Sequence, residues 1–371
     1  MKIVAIETHL IRVPCDIGAA PTAFLGVGWS SLDTLLVRVV TDQGLDGWGE
    51  GFGHACCPAT RIVLDTQLAP AVLGEDARDI RGLMARLAQR LHLFGRNGPH
   101  VYALSALDVA LWDIAGKAAN LPLWRLLGGA PLGALPAYAS VLRYSAPPDV
   151  AKACARALDQ GYRAVKLHEI DVPQTRAARD AVGPNVSLML DVNCPWSVDS
   201  AIDMAHRLQD CDLAWLEEPV WPPEDHAGLA RVRREGGVRV AAGENAASLF
   251  EVRAMLYAGA VDIIQPSVAK IGGITEVMKI TAVAEAIGVR LVPHCAYFGP
   301  GFLASLHLAA ALAPTAPFER LFVNLEASPY HDLVEAKGGR VTVPDAPGLG
   351  RDPDLDILRR YALSAPTILR A

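Results

Sequence analysis

Three carboxylates, Asp191, Glu217 and Glu244, follow one another at intervals of 26 and 27 residues, each closing a short apolar run: "LMLDVN", "LAWLEEP" and "RVAAGE". Upstream, "AVKLHE" carries Lys166 and His168 two positions apart; downstream, "RLVPHC" carries His294. In strands, side chains alternate with period 2, so Lys166 and His168 would point to one side. Three converging carboxylates repel one another unless a cation neutralises them, and an all-oxygen donor set suits Mg²⁺. Basic groups on two sides of such a metal could remove a proton α to a carboxylate and stabilise the resulting enediolate. Singly, each carboxylate could equally cap a helix or pair with a cation, and each histidine could be a buried structural residue. Their recurrence at successive run ends is what favours chemistry.

The runs that position these residues start at 135, 164, 188, 213, 239, 263, 290 and 321, so their intervals are 29, 24, 25, 26, 24, 27 and 31 residues. Each interval is about the length of one strand plus its crossover helix. Eight such units argue for an α/β chain built on a (β/α)8 TIM barrel, in which chemistry sits at the C-terminal ends of the strands. Those ends also supply Asn193, Glu218, Asn245, Ser267 and Glu326. An open doubly wound sheet would more often offer a GxGxxG turn, and the sequence has none. Before the barrel, "IVAIETHLIRV" and "TLLVRVVTDQGLDGWGE" read as strands. "ARDIRGLMARLAQRLHLF" and "HVYALSALDVALWDIAGKAAN" read as helices from apolar residues at i, i+3, i+4 and i+7. The expected organisation is an N-terminal α+β capping domain over residues 1–125, a barrel over 126–345 and a C-terminal segment, 346–371, returning to the capping domain.

Composition narrows the partner. With 34 basic against 40 acidic residues and no basic block, nucleic acid and anionic membrane surfaces are poor candidates, and a small-molecule carboxylate is expected. Seven cysteines without a CxxC pair argue against a disulfide framework and a structural zinc site. The N-terminus reads as a strand rather than a signal peptide, and no run approaches a membrane span. A cytoplasmic homo-oligomer is the expectation.

At this point the chain resembles the enolase superfamily, and within it the mandelate racemase-like subgroup of the mandelate racemase/muconate lactonizing enzyme family. The resemblance is carried by "ALSALDVALWDIAGKAANLPLWRLLGG", "LDVN", "WLEEP", "GEN", "QPSVAKIGGITE", "VPH" and "VPDAPGLG". It implies an enolase-like modified barrel in which Asp191, Glu217 and Glu244 bind Mg²⁺. It places Lys166 as the lysine that polarises the substrate carboxylate, His168 as the base on one face and His294 as the histidine of the other. Glu326 resembles the eighth-strand glutamate that contacts the substrate carboxylate, with Glu319 in "FERL" as the weaker alternative. Two positions depart from the pattern: His168 replaces the usual lysine, and Ser267 stands where an aspartate generally pairs with the seventh-strand histidine. A serine orients a ring without adding charge, so His294 is expected to be a better proton donor than abstractor.

The capping-domain loop "DIGAAPTAFLGVGWSS", with Phe24, Leu25 and Trp29, and the later "CAYFGPGF" are poor in charge, which favours a small or partly apolar acid. With His168 as base and His294 as acid, dehydration of a hydroxy acid or sugar acid to a 2-keto acid is the leading expectation. Racemisation or epimerisation and lactone cycloisomerisation are the alternatives, and a non-catalytic metal-binding scaffold is the alternative from another class.

Overall fold

In a computed structural model, which describes residues 1–19, 23–24 and 27–371, the chain opens with three antiparallel strands of a five-stranded sheet: β1 (Ile3–Asp16), β2 (Ser31–Thr41) and β3 (Asp46–Gly51). The turn "TDQGLDG" joins β2 to β3, with Gly44 at φ 77° supplying its left-handed corner. In β3, "DGWGEG", alternation separates two tasks. Gly47 and Gly49 face the long helix α2 (Pro99–Ala119) so closely that a Cβ would lie 2.2 Å from the Ala110 carbonyl oxygen and 1.8 Å from that of Ala106. Trp48 and Glu50 point the other way, towards the barrel. Helix α2 follows Pro99 at its first position and stops at Asn120, whose left-handed backbone (φ 53°) closes its C-terminus. It is apolar almost all round because it is covered by α1 (Ile80–Leu91) and the sheet on one side and by the barrel on the other.

The barrel strands are β4 (Ala134–Ser140), β5 (Ala164–Leu167), β6 (Ser187–Asp191), β7 (Leu213–Glu217), β8 (Val240–Ala242), β9 (Ile263–Ile264), β10 (Arg290–Leu291) and β11 (Phe318–Leu321). Consecutive strands from β4 to β10 pair in parallel, and β11 pairs in parallel with β4. Between β10 and β11, the Cys295 amide donates to the Glu319 carboxylate at 2.8 Å. Helices follow the strands, including α3 (Ile274–Ile287) after β9 and α4 (Pro300–Leu312) after β10. The strands are buried on both faces, hence their near-continuous apolar runs.

The eighth strand corrects the sequence reading. It is "FERL" at 318–321, not the run beginning at 321, because Phe318–Leu321 is fully buried and pairs with Ala137–Ser140. The later Asn324–Leu325 instead pairs with Cys15 and Asp16 of β1. A C-terminal strand, Thr367–Arg370, also lies antiparallel on β1.

The two domains meet through buried polar groups aimed at barrel helix N-termini. Ser105 accepts from the Gly272 amide (2.8 Å), Asp108 from the Thr275 amide (3.0 Å) and Glu50 from the Gly301 amide (2.8 Å). The Thr275 and Gly301 contacts satisfy orphan donors in the first turns of α3 and α4. Among the described residues, no helix is long and apolar enough to cross a membrane, and all seven cysteines are free thiols.

Candidate active site

Strand ends β5 to β8 bring the carboxylates and the two basic residues together. One carboxylate oxygen each from Asp191, Glu217 and Glu244 lies within 4.8 Å of the other two. Lys166, fully buried, reaches Glu217 at 2.8 Å, Glu319 at 2.8 Å and Asp191 at 3.4 Å. The group is short of positive charge. Burial pushes Glu217 up, Lys166 pulls it back and Asp191 and Glu319 push it up again, to about 8. Burial works against Asp191 too, but Lys166 and His168 hold it well below the usual carboxylate range. A buried all-oxygen cluster that needs a proton near neutral pH to balance its own charge fits a divalent cation.

The remaining contacts fix each ligand. Glu217 accepts from the Trp215 indole and the Gln265 amide, both at 2.9 Å, and Asp191 accepts from the Asn193 amide at 3.0 Å. Such outer contacts orient ligating oxygens. Trp215 was legible in principle, being two residues before Glu217 and so on the same face of β7; Gln265 has no such signal. Asn193, Cys194 and Glu218 all take left-handed backbone (φ 55°, 58° and 47°) where β6 and β7 end, the kind of strain that clusters at functional sites. Glu218 accepts from the Asn245 side-chain amide at 2.6 Å.

The two histidines approach from opposite sides. His168 Nδ1 is 2.7 Å from the Val141 carbonyl oxygen and Nε2 is 3.3 Å from Asp191. Burial lowers its pKa, but the hydrogen bond and charge of Asp191 outweigh this and the net shift is upward. His294 Nε2 lies 3.0 Å from Glu244, and Nδ1 lies 3.1 Å from the hydroxyl of Ser267, which also hydrogen-bonds Tyr297. Burial outweighs the neighbouring carboxylates here, so His294 is shifted down and favours its neutral ring.

Glu326 does not belong to this site. It is exposed, accepting from the Tyr361 hydroxyl at 2.7 Å and lying 3.6 Å from Arg360, because the chain has already left the barrel for β1. Glu319, 1 % exposed and 2.8 Å from Lys166, occupies the eighth-strand position instead, and Lys166 and His294 hold its pKa at about 2 despite burial.

Above the strand ends a cavity of about 130 Å³ is lined by His168, His294 and Glu244 from the barrel and by Trp29, Phe52 and His54 from the capping domain. Trp29 thus faces the site; Leu25 and the side chain of Phe24 lie outside the described residues. His54, absent from the sequence reading because the short 3₁₀ turn it opens (His54–Cys56) carries no periodic signal, packs edge-on against Trp29 and Phe52 at 5.3 Å each. Burial, then His294 and Lys270, push it down to about 4, so it stays neutral. Arg143, after β4, also lines the cavity and donates to the His168 carbonyl oxygen at 2.5 Å. The cavity mixes apolar walls with polar groups that can meet hydroxyls.

A barrel with an acidic triad at successive strand ends, roofed by an α+β cap, defines the class. The chain belongs to the enolase superfamily, in the mandelate racemase/muconate lactonizing enzyme family. The N-terminal domain of that family matches residues 6–128, and the enolase C-terminal domain-like family matches residues 149–357. The chain is 33% identical to D-galactarolactone cycloisomerase of Agrobacterium fabrum, over 99% of this chain and 100% of the relative. It is 31% identical to arabinonate dehydratase of Saccharolobus solfataricus, over 88% and 90%. A racemase from Streptomyces coelicolor A3(2), solved with bound magnesium, superposes with a TM-score of 0.84 at 32% identity, over 96% of this chain and 99% of that one. The protein is an enolase-superfamily enzyme whose relatives include sugar-acid dehydratases and cycloisomerases.

Proposed function

We propose that the enzyme catalyses β-elimination from a sugar-derived hydroxy acid or its lactone, giving a 2-keto acid. The observation that carries this reading is the unlike setting of the two histidines around one cavity. Nδ1–H of His168 donates to the Val141 carbonyl, and Nε2, which faces the Asp191 carboxylate at 3.3 Å, would be left as the base once a cation occupied that carboxylate. His294 has a serine rather than a charged partner at Nδ1 and is suited to give a proton.

A divalent cation held by Asp191, Glu217 and Glu244, Mg²⁺ by the donor set, would supply Lewis-acid charge to the substrate carboxylate. Lys166 would bind the same carboxylate, with Glu319 fixing its ammonium. His168 takes the α-proton, and the electron pair moves into the carboxylate as an enediolate. Its return forms the Cα–Cβ double bond, the β-carbon–oxygen bond breaks, and His294 gives its proton to the departing oxygen. The enol then ketonises. A departing hydroxyl leaves as water; where the oxygen belongs to a ring, the same step opens the ring and the net change is an isomerisation. One mechanism therefore accommodates both classes of relative, and His54, Asn193 and Arg143 line the cavity that the other hydroxyls would enter.

The test is incubation of the protein with Mg²⁺ in D₂O against D-galactarolactone, arabinonate and xylonate, with mandelate as an acid lacking a β-leaving group. A 2-keto acid from one of the sugar acids, and none from mandelate, is expected. Solvent deuterium at the α-carbon of recovered acid and epimer without keto acid would replace elimination by racemisation.

A further inference from the structure

We infer that Tyr297 is a positioning residue which, acting through Ser267, fixes the neutral ring of His294 with its proton on Nε2, the nitrogen facing the carboxylates, and so makes His294 a proton donor. This deepens the elimination reading and rests on it for its use. One buried chain of hydrogen bonds fixes where each proton lies.

Ser267 and His294 form an isolated parallel bridge between the ends of the sixth and seventh strand segments, which places the serine hydroxyl 3.1 Å from Nδ1. Tyr297 comes from "CAYFGPGF", three residues after His294, and its hydroxyl hydrogen-bonds Ser267. The phenol is 4 % exposed, and among the described residues Ser267 is the hydrogen-bond partner its hydroxyl has. Were Ser267 to donate to Tyr297, the phenolic proton would be a buried donor without an acceptor. Tyr297 therefore donates to Ser267. The single hydroxyl proton of Ser267 is then directed at His294, so Nδ1 must accept and the ring proton resides on Nε2.

The other end of the ring agrees. Nε2 lies 3.0 Å from Glu244, a contact that a carboxylate makes with an N–H and not with a lone pair. Burial holds the Tyr297 phenol well above its ordinary pKa, keeping it a donor. The arrangement is also buttressed: Tyr297 packs edge-on against His294 at 6.0 Å and against Phe52 of the capping domain at 5.9 Å. An aspartate at 267 would demand the opposite tautomer, because a carboxylate can only accept from Nδ1–H, and would leave Nε2 a base. Replacing it by serine backed by tyrosine inverts the direction of the hydrogen bond and with it the role of the ring. His168, tied through Nδ1–H to a carbonyl, would carry the opposite tautomer once a cation engaged Asp191 and left its Nε2 unprotonated.

Long-range proton–nitrogen NMR of the ¹⁵N-histidine-labelled, Mg²⁺-loaded protein tests this directly, with His294 signals assigned by their loss in His294→Gln. The wild type should show a pyrrole-type shift at Nε2 and a pyridine-type shift at Nδ1. Tyr297→Phe should lose part of that preference, and Ser267→Asp should reverse it, while His168 signals stay unchanged as the control for an intact fold. A wild-type ring protonated on Nδ1, or a folded Tyr297→Phe protein with the wild-type pattern, would overturn the inference. If Tyr297→Phe does not fold, failure of Ser267→Asp to reverse the tautomer does so instead. Because the readout needs no turnover, a correct tautomer in a protein that eliminates from no hydroxy acid would sink the reaction assignment and leave this inference standing.

Discussion

Glu50 is a buried carboxyl whose ionisation the capping domain and the barrel settle between them. It sits on the barrel face of β3, accepts from the Gly301 amide at 2.8 Å and is 4 % exposed. Burial drives its pKa up, hydrogen bonds from Gly301 and Gly299 pull it down, and the balance raises it from 4.5 to about 7. In the unfolded chain the group ionises near its ordinary value. Below about pH 4.5 both states hold the proton; between about 4.5 and 7 the folded state binds more protons than the unfolded, so stability falls as pH rises; above about 7 the loss is complete. At about 1.4 kcal/mol per unit, the rise amounts to about 3 kcal/mol. Glu50→Gln removes this dependence. Any cost of a buried unpaired amide NH₂, about 1–3 kcal/mol, is the same at every pH and cancels in the comparison. Urea unfolding of both proteins at steps from pH 4.5 to 8 should show the variant gaining about 3 kcal/mol on the wild type across the series. Parallel curves, with the difference constant to about 0.5 kcal/mol, would refute the reasoning, since a carboxyl with an ordinary pKa contributes no slope there. Asp108, raised to about 7 chiefly by burial on the neighbouring helix N-terminus, should behave with the same sign in Asp108→Asn.

Glu319→Gln should cut turnover steeply, whereas Glu326→Gln should leave turnover unchanged and shift stability by no more than about 0.5 kcal/mol; steady-state kinetics and unfolding of the pair check this. Mg²⁺ at about 100 times its dissociation constant should stabilise the protein by about 2.7 kcal/mol, read in thermal melts, and Glu217→Gln should abolish the gain. His168→Gln should lower α-proton removal by about 10²–10⁴, measured as deuterium exchange, while His294→Gln should retain exchange and lose keto acid formation. Equal loss of exchange in both would remove the distinction between base and acid.

Much of this protein was legible in its sequence because the barrel repeats. A strand buried on both faces must be an apolar run, crossover helices fix the interval, and the run ends, where Asp191, Glu217 and Glu244 stand, must converge once the ring forms. Period 2 put Lys166 and His168 on one side without any coordinates. The eighth strand failed the same reading because two apolar stretches, at 318–321 and 321–325, adjoin, and only pairing decides between them: Phe318–Leu321 meets β4 and Asn324–Leu325 meets β1. That choice puts Glu319, and not Glu326, beside Lys166. Tertiary structure alone also brought His54 and Phe52 of the capping domain over the strand ends, since no local pattern links residues that meet across a domain boundary. It alone joined Tyr297 to Ser267. The sequence determined which residue types are present and how often they recur; the direction of each proton depends on what lies within 3 Å, and that is set by packing.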